Sequence, residues 1–159
     1  MKKRTQNSLA LFGWVTLIQT LSVLVSAGMV ILTFDPFGGD GGMTVFGVLF
    51  LFGWAVWGYF LPRKVSVSGF QMFAVLGVWS GLLLVLWFRL EEHMILFHFP
   101  QLLTGLWLAQ LWPGDPHNAW YQQTLRPVMV QAAHVLLPAM MALGIWLRDR
   151  EEAAGNERK

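Results

Sequence analysis

The chain of 159 residues contains no cysteine. That absence removes disulfide scaffolds, thiolate zinc sites, iron–sulfur clusters, cysteine nucleophiles and palmitoylation. Charge is the second shortage. Only 13% of residues are Asp, Glu, Lys or Arg, against about 25% in a typical soluble domain. A water-soluble globule of this size cannot cover its surface at half the usual charge density. The formal net charge of +2 is too small for a nucleic-acid partner. Catalytic motifs are missing too. The segment Gly38-Gly39-Asp40-Gly41-Gly42 lacks the Lys-Ser/Thr of a phosphate loop, and no nucleophile elbow is present. Glu91, Glu92, His93 and His98 form neither an HExxH nor an ExxH pattern, so no metal site is expected.

What is present is apolar. Hydrophobic residues make up 55% of the chain, with nine Trp and twelve Phe. A helix crossing the hydrocarbon needs about 20 such residues, and the chain offers five runs near that length: 9–34, 43–61, 69–88, 94–112 and 127–147. We therefore expect an all-α integral membrane protein, a bundle of five hydrophobic helices. A basic N-terminus (1–8) precedes the bundle and a polar tail (148–159) follows it. The first run is too long for the apolar part of a signal peptide and continues past the small residues Ser26-Ala27-Gly28, so it reads as an uncleaved span. The linker 35–42, with its glycines, a proline and two aspartates, is expected to be non-helical. Asp115 and Pro116 are placed to cap and open a short interfacial helix over 116–126, anchored by Trp120 and Tyr121.

Basic loops stay in the cytoplasm, and Lys2, Lys3, Arg4, Arg63 and Lys64 put the N-terminus there. The setting expected is a bacterial-type inner membrane. The far end admits two arrangements. Five spans place the tail outside, with six basic residues inside and five outside. Four spans, with 94–112 interfacial or re-entrant, place it inside, with nine against two. The length and all-round hydropathy of 94–112 favour five, although 89–93 lacks the usual turn residues for a hairpin.

Polar and small residues mark faces inside this bundle. Gly13, Thr16, Gln19, Thr20, Ser22, Ser26, Ala27 and Thr33 share one half of the first helix. Gly77 and Gly81 form a GxxxG, and Gly105 and Ala109 a weaker small-residue pair. Both are expected to serve helix packing within the bundle, with homodimerisation through Gly77 as the alternative. Trp14, Trp87, Trp112, Trp120 and Trp146 fall near span ends, as an interfacial aromatic belt requires. Gln19, His98, Gln101, Gln131 and His134 form a polar set inside apolar runs, where ionisable groups face the interior and find partners. His98 and His134 are the natural pair for a b-type haem, but with five spans their depths differ by roughly 9 Å. The same set could carry a proton or small solute in an oligomeric transporter or channel, although no repeat or broken-helix pair supports this. The function expected first is non-enzymatic: an accessory or assembly subunit of a larger membrane complex, without cofactor, whose partners are the bilayer and another membrane protein or a second copy.

Overall fold

An apolar run without proline is free to form one helix, and α1 does so over Lys2–Thr33. The computed structural model describes residues 2–33, 39–62, 64–90, 95–112 and 117–156. Four more α-helices follow: α2 (Gly39–Tyr59), α3 (Gly69–Leu90), α4 (Phe99–Gln110) and α5 (Arg126–Asn156). There are no strands among the described residues. By length and composition, three stretches are apolar enough to cross a membrane: Lys3–Gly28, Gly69–Arg89 and Tyr121–Ala154.

Several boundaries differ from expectation. Helix α2 starts at Gly39 rather than 43, so Gly39–Gly42 is helical. The first-turn N–H groups of any helix lack intrahelical partners, which makes that turn tolerant of residues with poor helix propensity. A Ser-x-x-Gln capping box opens α3: Ser68 N–H donates to Gln71 Oε1 and Gln71 N–H to Ser68 Oγ. Among the described residues 117–126, no separate interfacial helix forms. Residues 119–120 are helical and a π-turn, Tyr121–Leu125, runs directly into α5. Pro127 supplies a reason, because it cannot donate to the carbonyl four residues back and its ring crowds that carbonyl, which the wider turn accommodates. Tyr121 is buried against Ala109 and Leu125 instead of anchoring at an interface. The tail is helical to Asn156. Arg148 donates to the Leu61 carbonyl (2.7 Å) and pairs with Asp149, and the Tyr59 hydroxyl meets Glu151 (2.6 Å). The Asp115-Pro116 cap and Glu91, Glu92 and His93 lie outside the described residues.

The largest correction concerns 94–112. A 3₁₀ turn, Ile95–His98, leads into α4, which has 12 residues and is about 18 Å long. The hydrocarbon core is about 30 Å thick, so α4 is too short to cross it. Pro100, near the start of α4, favours a helix beginning there and disfavours one passing through it.

Side-chain contacts give the directions. Trp14 meets Trp57 and Ser22 meets Trp54, so α1 and α2 are antiparallel. Ser8 meets Gln71 and Phe12 meets Trp79, so α1 and α3 are parallel. His98 meets His134 and Gly105 meets Val130, so α4 and α5 are antiparallel. Gly58 lies on Met141 and Leu61 on Arg148, so α2 and α5 are parallel. Residues 4–8, 61–62, 64–71 and 148–151 therefore gather at one end, tied by Asn7 to Ser66, Gln71 to Arg4 and Arg148 to Leu61.

The exterior is unusually apolar, and polar side chains are buried beside the apolar core. Gln19, Ser22, Ser26, Ser80, His98, Gln101, Thr104 and His134 are buried, whereas Leu9, Leu24, Phe52, Phe73, Val85 and Phe88 are exposed. Such an apolar exterior is the expected surface of a bundle solvated by lipid. The tryptophans do not form a simple belt. Trp14 and Trp57 stack at 4.6 Å, each ring N–H donating to the other residue's backbone carbonyl (3.1 and 3.2 Å). Trp87 is half-buried, against both His98 and His134.

Candidate functional site, a buried polar cluster around a half-length helix

Helix α4 begins within the bundle, and the polar residues expected along the apolar runs meet around its start. Gln19 on α1 and Gln101 on α4, both wholly buried, join by their amides. Gln101 Nε2 donates to Gln19 Oε1 (2.7 Å) and Gln19 Nε2 to Gln101 Oε1 (3.2 Å). Gln19 Nε2 also donates to the Phe97 carbonyl (2.7 Å). In 3₁₀ geometry that carbonyl looks to the N–H of residue 100, which is proline and has none. Gln19 thus supplies the donor that Pro100 lacks.

On the other side of the turn, His98 Nδ1 lies 3.1 Å from His134 Nε2, and His134 Nδ1 lies 2.8 Å from the Val130 carbonyl. A carbonyl only accepts, so His134 Nδ1 carries a proton. With neutral rings, His134 Nε2 is then an acceptor and His98 Nδ1 donates to it. The chain of donors runs one way, from His98 through His134 to Val130. Its free end is His98 Nε2, a buried lone pair with no hydrogen-bond partner among the described residues. Thr104 Oγ1 and Trp79 Nε1 are likewise buried without partners. Pro138, four residues after His134, removes the helical donor to the His134 carbonyl.

The expected depth mismatch between the two histidines is corrected by this contact. It assumed that α4 starts at a membrane face, whereas α4 starts at Phe99 within the bundle. Contact does not make the pair a bis-histidine haem site. Two imidazole nitrogens on opposite sides of one metal, each bonded at about 2 Å, stand about 4 Å apart. Here the facing nitrogens share a proton at 3.1 Å, His134 has both nitrogens engaged, and only His98 Nε2 is free. The residues present do not fit a haem held between them. Among the described residues no three His, Cys, Asp or Glu side chains converge on a metal position.

Gln131, one turn before His134, is half-buried and stands apart from the hydrogen bonds of the other four. Gly105 and Ala109 face α5. A Cβ on Gly105 would collide with the Val130 backbone, and Ala109 is wholly buried. Gly77 and Gly81 do the opposite: both are exposed, with nothing within 4 Å of where a Cβ would stand. The expectation that they pack inside the bundle is therefore corrected, because α3 meets its neighbours through Leu76, Trp79, Ser80 and Leu83 on the other face.

Sequence reasoning missed three features. Trp87 was assigned to an interface by its place near the end of a run. Thr104, six residues after His98, gave no periodic signal. Gly58 and Gly144 form the tightest helix contact, and Gly47, eleven residues before Gly58 on the same face of α2, was the available hint. Comparison with known protein families, with curated proteins and with solved structures gives no match to this chain.

Proposed function

We propose that the chain is an integral protein of a bacterial-type inner membrane and acts by packing rather than catalysis, as an accessory or assembly subunit of a larger membrane complex. Helices α1, α2, α3 and α5 cross the bilayer in this reading, and α4 enters it partway. The N-terminus and the C-terminal tail are both cytoplasmic. Support for the topology comes from the gathering of residues 4–8, 61–62, 64–71 and 148–151 at one end; with that end in the cytoplasm, the sequence counts nine basic residues inside, and Arg89 and Arg126 are the two others.

One observation carries the functional reading. Gly47, Gly58, Gly105 and Gly144 are all filled by a neighbouring helix, and of the open glycines (Gly13, Gly28, Gly53, Gly69, Gly77 and Gly81) only Gly77 and Gly81 stand four residues apart, on an apolar outer face. A GxxxG lets another helix approach closely. The buried polar groups, by contrast, mostly satisfy one another, as structural cross-links do.

A photo-crosslinking residue at Val78 or Leu82, with Leu24 on α1 as control, tests the docking face in native membranes. The expected outcome is a discrete adduct from positions 78 and 82 and none from 24. An adduct at twice the mass of the chain identifies a second copy, and another mass a different subunit. Equal labelling from all three positions, or none from 78 and 82, overturns the reading. A reporter fused after Lys159 is expected to be active only in the cytoplasm.

A further inference from the structure

Parallel helices α1 and α3 both begin at the basic end of the bundle, and their first two turns enclose a groove of about 490 Å³. Its floor is polar. Gln71 Nε2 donates to the Arg4 carbonyl (3.1 Å) and to Ser8 Oγ (3.2 Å), which fixes the spacing of the two helices. Its outer wall is apolar, formed by Phe70, Ala74 and Val75. Phe70 is 77% exposed and Leu9, one turn along α1 from Thr5, is 66% exposed. The Arg4 guanidinium at the rim forms no ion pair or hydrogen bond among the described residues. Lys3 and Lys64 are exposed at the same end.

Three features select the occupant. A guanidinium and two helix N-termini of the same orientation favour an anion. The groove is open along one side, as a site for a chain laid against the surface would be. Just beyond the cation, the walls turn apolar along the helix axes, at the level where α1 passes from Lys3-Arg4 to Leu9. A soluble anion has no use for that wall, whereas an acyl chain does. We infer that this groove binds the phosphate and upper acyl chain of an anionic phospholipid, with Arg4 on the phosphate and Phe70, Ala74 and Val75 along the chain. The inference rests on the membrane reading above but not on a protein partner, so loss of the α3 crosslinks leaves it standing.

Native mass spectrometry of the full chain in detergent, titrated with phosphatidylglycerol or phosphatidylcholine, provides the test. Phosphatidylglycerol is expected to bind at least tenfold more tightly than phosphatidylcholine. Arg4→Gln is expected to remove that preference. Ala74→Trp, which fills the apolar wall and keeps every charge, is expected to weaken phosphatidylglycerol at least fivefold. Lys64→Gln, outside the groove, is expected to change neither. Equal losses from Arg4→Gln and Lys64→Gln would mean general charge attraction and overturn the site. Displacement of the lipid by millimolar inorganic phosphate, or indifference to Ala74→Trp, would overturn the lipid as occupant.

Discussion

Two glycine-bearing surfaces of the same bundle behave in opposite ways. Where α2 crosses α5, a Cβ on Gly144 would fall on the Ala55 carbonyl and one on Gly58 on the Met141 carbonyl. On α3, Gly77 and Gly81 meet nothing. Spacing does not separate the two cases, since the GxxxG is the stronger motif and the open one. What separates them is the company each glycine keeps. Gly58 lies near the buried Trp54 and Leu61, and Gly144 beside Met141, Ile145 and Arg148. Gly77 and Gly81 lie between exposed Phe73, Val78, Leu82 and Val85.

The largest effect expected is at the closed seam. Gly144→Val should cost about 3 kcal/mol or more, because the added carbons meet backbone that cannot rotate away. A thermal scan in detergent would show it as a sharply lowered midpoint or loss of the monodisperse species. A midpoint near that of the unaltered chain would mean that the seam is looser than described.

Next in size is the amide pair that ties α1 to α4. Gln101→Leu strands the buried Gln19 amide and should cost about 1–3 kcal/mol, whereas Gln19→Leu with Gln101→Leu should recover part of that loss. A double-mutant cycle measures the coupling. Additive single effects would show that the two amides act independently. On the open face the expected loss of fold stability is the smallest. Gly81→Val should stay within about 0.5 kcal/mol and yet abolish the photo-adduct from position 78. Gly77→Ala should change stability as little and only weaken the adduct. If either substitution unfolds the chain, α3 is packed more closely than its exposure indicates.

Hydropathy revealed the apolar segments because burial in lipid needs only composition and length. The same blindness to geometry hid the shortness of α4. Residues 94–112 are apolar throughout, and nothing in their average records that Pro100 begins a helix and that Gln19 supplies the donor it lacks. A full span over 94–112 implies different depths for His98 and His134, and the short α4 removes both errors together. The polar set itself was legible, since Gln19, His98, Gln101 and His134 interrupt apolar runs, and all four are wholly buried. Their partners were not. Which amide meets which imidazole depends on helix directions, and those depend on where α4 starts. The orientation of a glycine motif is equally hidden when both faces of a helix are apolar, as on α3.

The position of α5 bears on how the molecule is made. It packs against α2, α3 and α4, yet it follows all three along the chain. Without it, His98 has no acceptor for its Nδ1 proton, Gly58 loses the helix that covers it, and the Leu61 carbonyl has no Arg148 to accept from. Helices α1 to α4 therefore make an open half-shell, and α5 is the single post that closes it.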